Sequence, residues 1–91
     1  MEIKYFRQIK TIEEEGSIAN SANKLFLTQS ALSHQLRDLE ECLGFKVFHR
    51  KRNKWQLSEE GAELYTLGNS ILESIEKGFQ NIKQLQTGSV G

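Results

Sequence analysis

Ninety-one residues, 37% hydrophobic and 26% charged, make one globular domain with room for little more than an appendage. No run approaches the roughly 18 apolar residues of a membrane span, and MEIKYFRQIK lacks the apolar core of a signal peptide, so the expected location is the cytoplasm. One cysteine, Cys42, excludes an internal disulfide and a cysteine-based metal site, and leaves it the role of a small packing group. The formal charge is zero, but it is unevenly spread: residues 1–45 are net −2, residues 59–91 net −3, and residues 46–58 net +5. That middle segment holds Lys46, Arg50, Lys51, Arg52 and Lys54 and no acid, which makes it a candidate anion-contacting surface.

In chain order, residues 2–15 predict a helix, because Tyr5, Ile9 and Ile12 fall at i, i+4 and i+7 with Phe6 beside them. Gly16 stops it. Glu13, Glu14 and Glu15 in its last turn oppose the helix dipole, so that end is expected to be only modestly stable. Ser17 is a suitable N-cap for a short second helix from Ile18 to about Leu25, with Ile18, Ala22 and Leu25 on its apolar face. Phe26 and Leu27 follow in a tight turn.

Thr28 then caps a third helix that runs to about Leu43 and stops at Gly44. Ala31, Leu32, Leu36, Leu39 and Leu43 supply its buried side. Its start, TQSALSHQ, is rich in short polar groups although Ser and Thr are mediocre helix formers, and this needs an explanation. FKVFHR and KWQL read as two short strands around the basic KRN, with Asn53 the best turn residue between them. Ser58, Glu59, Glu60 and Gly61 open the last helix; acids there suit the dipole, and Gly61 weakens it slightly. Leu64, Leu67, Ile71, Ile75, Phe79, Ile82 and Leu85, flanked by Leu72, continue it as an amphipathic helix of about 28 residues, roughly 42 Å long. A three-helix head cannot cover so long a stripe, so the excess needs another partner. Gly68 and Gly78 near the stripe are tolerable if they permit close helix approach.

Two helices joined by a short turn, with Ala22 in the small-residue slot and Leu25, Leu27, Leu32 and Leu36 at apolar positions after it, match a helix-turn-helix. The expected fold is mainly α: three helices and a two-stranded β wing over residues 1–57, a linker and dimerisation helix over 58–86, and a flexible tail over 87–91. On this reading the third helix enters a DNA major groove. Gln, Ser and Thr hydrogen-bond base edges, and small groups let the helix come close. The groove-facing set is Gln29, Ser30, Ser33, His34 and Arg37, while Thr28 caps the helix and offers its hydroxyl or amide to a phosphate. Arg50, Lys51, Arg52 and Lys54 form a wing against the backbone or the minor groove.

The alternative is a helical dimerisation or protein-interaction module whose winged helix serves a protein partner. An enzyme is not expected. The chain has no phosphate-cradling glycine loop, no nucleophile elbow and no metal-ligand spacing, and no cofactor is implied.

The stretches EEGSIANSANKLFLTQSALSHQLRDLEECLGFKVFHR and LSEEG resemble the N-terminal domain of LysR-type transcriptional regulators, without a gap from about Ile3 through Gly61. Within that family, TQSALSHQ and LGF look most like the regulators of methionine biosynthesis. The resemblance implies a cytoplasmic bacterial protein that binds interrupted palindromes near promoters. It implies homodimers through antiparallel linker helices, here Leu64, Leu67, Ile71, Leu72, Ile75, Phe79, Ile82 and Leu85, with tetramers in the full-length proteins. The family's DNA contacts fall on Thr28, Gln29, Ser30, Ser33, His34, Arg37 and Arg50. The chain departs from the family at Asn53, where a second wing arginine is usual, at Ser30, where proline is common, and at His34, where arginine is common. Family members also carry a larger effector domain after the linker helix, so no small-molecule site is expected within these 91 residues.

Overall fold

The computed structural model describes residues 1–52 and 54–87. Helices α1 (Ile3–Glu15), α2 (Ile18–Lys24) and α3 (Gln29–Leu43) are followed by strands β1 (Phe48–Lys51) and β2 (Lys54–Leu57) and by the long helix α4 (Glu59–Thr87). The expected turn residue Asn53 and the last four residues of the expected tail, 88–91, lie outside the described residues, whereas Thr87 is helical. No helix among the described residues is long and apolar enough to cross a membrane.

The punctuation read from the sequence sets the helix ends. Gly16 takes φ 75° and its amide donates to Ile12 O, and Gly44 takes φ 82° and donates to Glu40 O. Ser17 Oγ accepts from the Asn20 amide at 3.1 Å, and Thr28 Oγ1 from the Ala31 amide at 3.0 Å. At the acidic end of α1, Lys24 Nζ lies 3.0 Å from Glu15 and offsets part of the unfavourable dipole.

The core joins Ile9 and Ile12 of α1, Ala22 of α2, and Leu32, Leu36 and Leu39 of α3 to Val47 and Phe48 at the root of the wing. Each of these side chains except Ala22 contributes about 1.5–3 kcal/mol when fully buried. Ala22 is 2% exposed where α2 meets α3, and the turn beyond it is pinned by Leu27 N to Ala22 O at 2.9 Å. Phe26, between them, adopts φ 58° and is 95% exposed. Two buried polar residues were not foreseen: Ser21 donates to Ser17 O at 2.6 Å, and Gln8 Nε2 donates to Gln35 Oε1 across to α3.

Three expectations change. Phe45–Val47 is not strand; β1 starts only at Phe48. The amides of Val47 and Phe48 donate to the Glu40 carboxylate, and Val47 O accepts from the Ser58 amide at 2.9 Å, so these backbone groups are used outside the β ladder. Cys42 is exposed rather than packed, because it lies at the solvent edge of the Leu36–Leu39–Leu43 stripe. Gly61 is a close-approach residue, buried against Val47, and not a mere weakness of α4.

Helix α4 packs along α1, and Gly68 makes this possible. A Cβ there would lie 2.6 Å from Phe6 Cδ1, whereas one at Gly78 would meet nothing within 4 Å. The two glycines therefore respond oppositely to alanine. Gly78→Ala raises stability by about 0.5–1 kcal/mol through helix propensity. Gly68→Ala gains the same propensity but forces the Phe6 ring out of place, and loses about 1–2 kcal/mol net. Urea unfolding midpoints measure both; a Gly68→Ala chain at least as stable as Gly78→Ala would contradict this packing.

Candidate nucleic-acid interface

The polar start of α3 is free of the core. Its buried side is Leu32, Leu36 and Leu39, and the opposite face presents Gln29, Ser30, His34 and Arg37 exposed and Ser33 half-buried. Residues 30, 33, 34 and 37 share one face because they recur at three- and four-residue steps. Thr28 is exposed and uses its hydroxyl as the cap. The amides of Gln29 and Ser30, at the helix start, have no intrahelical acceptor. His34 Nε2 lies 3.4 Å from Asp38 Oδ2 one turn on, an acid at the edge of this face that sequence reasoning did not single out.

The wing is an antiparallel pair in the register Phe48↔Leu57, His49↔Gln56, Arg50↔Trp55 and Lys51↔Lys54. Side chains alternate across a strand, so Arg50 shares a face with Phe48, Trp55 and Leu57. Phe48 and Trp55 meet edge to face with centroids 6.1 Å apart. The Arg50 guanidinium lies 5.5 Å from the centre of the Trp55 ring, a cation–π contact that steadies a long, otherwise mobile side chain. Ser33 and Arg37 of α3 face Lys46, Arg50 and Trp55 across one groove of about 360 Å³.

The four expected wing cations thus divide. Arg50 turns toward α3, while Lys51, Arg52 and Lys54 cluster with Gln56 at the tip. Lys51 and Lys54 are direct cross-strand partners, an arrangement of like charges that is unfavourable unless an anion lies near. Lys46 and His49 also line the groove and were not in the expected site. Lys46 belonged to the basic block, but nothing in the spacing placed it opposite Arg37.

The expected dimer stripe divides as well. Leu64 packs against the core of its own chain, and Ile71, Leu72 and Ile75 are half-buried. Leu67 (53%), Phe79 (67%), Ile82 (49%) and Leu85 (70%) are exposed.

A helix-turn-helix whose second helix presents a polar face beside a basic two-stranded wing, with a long helix leading away, defines a winged helix-turn-helix domain. Residues 3–62 match the model of the bacterial regulatory helix-turn-helix proteins of the lysR family, and the chain belongs to that family. It is 42% identical over 84 residues to the HTH-type transcriptional regulator MetR of Buchnera aphidicola subsp. Schizaphis graminum, covering 92% of this chain and 27% of that protein. It is 37% identical over 86 residues to MetR of Escherichia coli K12, covering 94% of this chain and 27% of the relative. The chain therefore spans about a quarter of the length of these relatives. Among solved structures, the BenM_DBD/catB site 1 DNA complex superposes with a TM-score of 0.90 at 28% identity, covering 98% of this chain and 96% of that one.

Proposed function

We propose that this chain is the sequence-reading part of a bacterial transcriptional regulator and binds double-stranded DNA. Helix α3 enters the major groove, with Gln29, Ser30, Ser33, His34 and Arg37 toward base edges and Thr28 toward a phosphate. Arg50 holds the backbone or the minor groove beside it, and Lys51, Arg52 and Lys54 add phosphate contacts from the wing tip. The observation that carries this is the shared groove. Ser33 and Arg37 of the polar helix face line the same cleft as Lys46 and an Arg50 steadied by Trp55, which suits base reading from α3 and phosphate holding from the wing. The regulators named MetR and the DNA-bound BenM domain support the reading by similarity. Residues 1–57 form the reading unit and 58–86 the linker helix, acting in the cytoplasm without chemistry of their own.

Fluorescence anisotropy of a labelled duplex tests it. Binding should weaken steeply between 50 and 200 mM salt, by roughly 10³-fold or more if six or more phosphates are neutralised. Salt-independent binding, or none, would defeat it.

The linker helix mediates a homodimer. Its exposed Leu67, Phe79 and Ile82 form an apolar band along the part of α4 that its own head leaves open. Two copies would present two α3 helices to an inverted repeat. Light scattering should give twice the 10.4 kDa chain mass, and Phe79→Glu with Ile82→Glu should give the monomer. A wild-type monomer at all concentrations would sink this part. The exposed apolar band also favours the second reading, an interaction module. Neutralising residues 50–54 separates the two, since DNA binding then collapses while self-association is unchanged.

A further inference from the structure

A carboxylate on a helix that is to approach a polyanion needs a reason to be there, and Glu40 of α3 is such a group. Its side chain is only 12% exposed, one turn beyond Arg37. Glu40 Oε2 accepts from the Val47 amide at 2.7 Å and lies 3.3 Å from the Phe48 amide, and Oε1 is 3.9 Å from Lys46 Nζ. Val47 and Phe48 are buried; Val47 leads directly into β1, which Phe48 opens two residues before Arg50. On its other side the same segment is fixed by Ser58, whose amide donates to Val47 O and whose hydroxyl donates to Lys46 O. Glu40 is thus the grip of the recognition helix on the root of the wing.

We propose that Glu40 is a positioning residue for DNA binding. It sets the wing against α3, so that Arg50 and the α3 polar face engage one duplex together. This rests on the DNA-binding reading above and adds to it a residue that acts through the wing, although it also lines the groove shared by Arg37 and Arg50. The proposal predicts a sign opposite to simple electrostatics. As a bare charge near phosphates, Glu40 repels DNA, and its removal tightens binding. As the acceptor that anchors the wing, its removal weakens binding, because the two buried amides lose a charge-assisted partner and Arg50 loses its place.

The test uses the 91-residue chain and the duplex that the wild type enriches most from a random-sequence pool. Wild type, Glu40→Ala, Glu40→Gln and Glu40→Asp are compared, with and without Arg50→Ala, across a salt series. Thermal melts fix the folded fraction. Glu40→Ala should lower affinity roughly ten-fold and flatten the salt slope by about one phosphate contact, and in that background Arg50→Ala should cost little more. Glu40→Gln, which keeps a carbonyl acceptor, should bind within a few-fold of wild type. Glu40→Asp keeps the charge but shortens the reach, and should weaken binding several-fold; it decides the matter if the alanine variant does not fold. Unchanged or tighter binding by the folded alanine or aspartate variant, or full additivity with Arg50→Ala, overturns the role of Glu40. If no duplex is enriched, the DNA-binding reading falls and the role of Glu40 with it.

Discussion

Replacing Gly61 by alanine should destabilise the fold by about 1–3 kcal/mol, even though alanine is the better helix former by about 1 kcal/mol. A Cβ at residue 61 would lie 2.1 Å from Val47 O and 2.9 Å from Val47 C, both backbone atoms, and 3.1 Å from Ser58 Oγ. No side chain can rotate away to relieve this. The Val47 backbone is held by the Glu40 carboxylate through its amide and by the Ser58 amide through its carbonyl. Ser58 is itself tied down, since its hydroxyl accepts from the Gly61 amide at 2.8 Å. The strain must therefore move either the first turn of α4 or the root of the wing. A fall of several degrees in Tm per kcal/mol is expected for a domain of this size. The check is urea unfolding beside Gly78→Ala, the same substitution in an open part of the same helix. A Gly61→Ala chain as stable as wild type would show that α4 and Val47 do not approach as described. The expected loss is a large fraction of the total stability of a small domain, about 5–15 kcal/mol.

The second large effect separates holding DNA from reading it. Arg50→Ala should cost about 1–2 kcal/mol on every duplex, near ten-fold in Kd, and reduce the salt slope by about one. Arg50 faces the groove shared with Ser33 and Arg37 and is steadied over Trp55, so its loss removes a preorganised cation and not a wandering one. Gln29→Ala should instead cost about 1–3 kcal/mol on the preferred duplex and little on others, relaxing the choice at one base pair. Gln29 is uncharged and exposed at the first turn of α3, the part of the helix that the proposed binding mode brings to base edges. Titrations of both variants against preferred and scrambled duplexes, each at several salt concentrations, distinguish the two. Uniform loss for Gln29→Ala, or sequence-selective loss for Arg50→Ala, would reverse the assigned roles.

The helices were legible in the sequence because their signals are local. Ser17 and Thr28 cap and Gly16 and Gly44 terminate within one turn of the apolar stripes they bound. The polar face of α3 was legible for the same reason. What escaped sequence reading was set by distant partners. Phe45 and Val47 alternate with polar neighbours like a strand, yet the alternation reflects the burial of Val47 between α3 and α4. Gly61 looked like a small flaw in a helix because the atom it avoids is 14 residues earlier. Gln8 was not singled out and is buried, its amide donating to a residue 27 positions away. The wing cations formed one block in sequence, but the period-two geometry of the strands sends Arg50 to one face and Lys51 to the other. Glu40 carried no signal at all, since an acid late in a helix reads as solvated surface until its two amide donors are seen.

On the proposed function, this chain distinguishes one double-stranded sequence from others. The most direct measurement is a competition titration near 0.15 M salt, with the duplex enriched from a random pool set against a scrambled duplex of equal length. A preference of roughly a hundred-fold or more is expected, with an inverted repeat in the enriched sequence. Equal affinity for the two duplexes would contradict it.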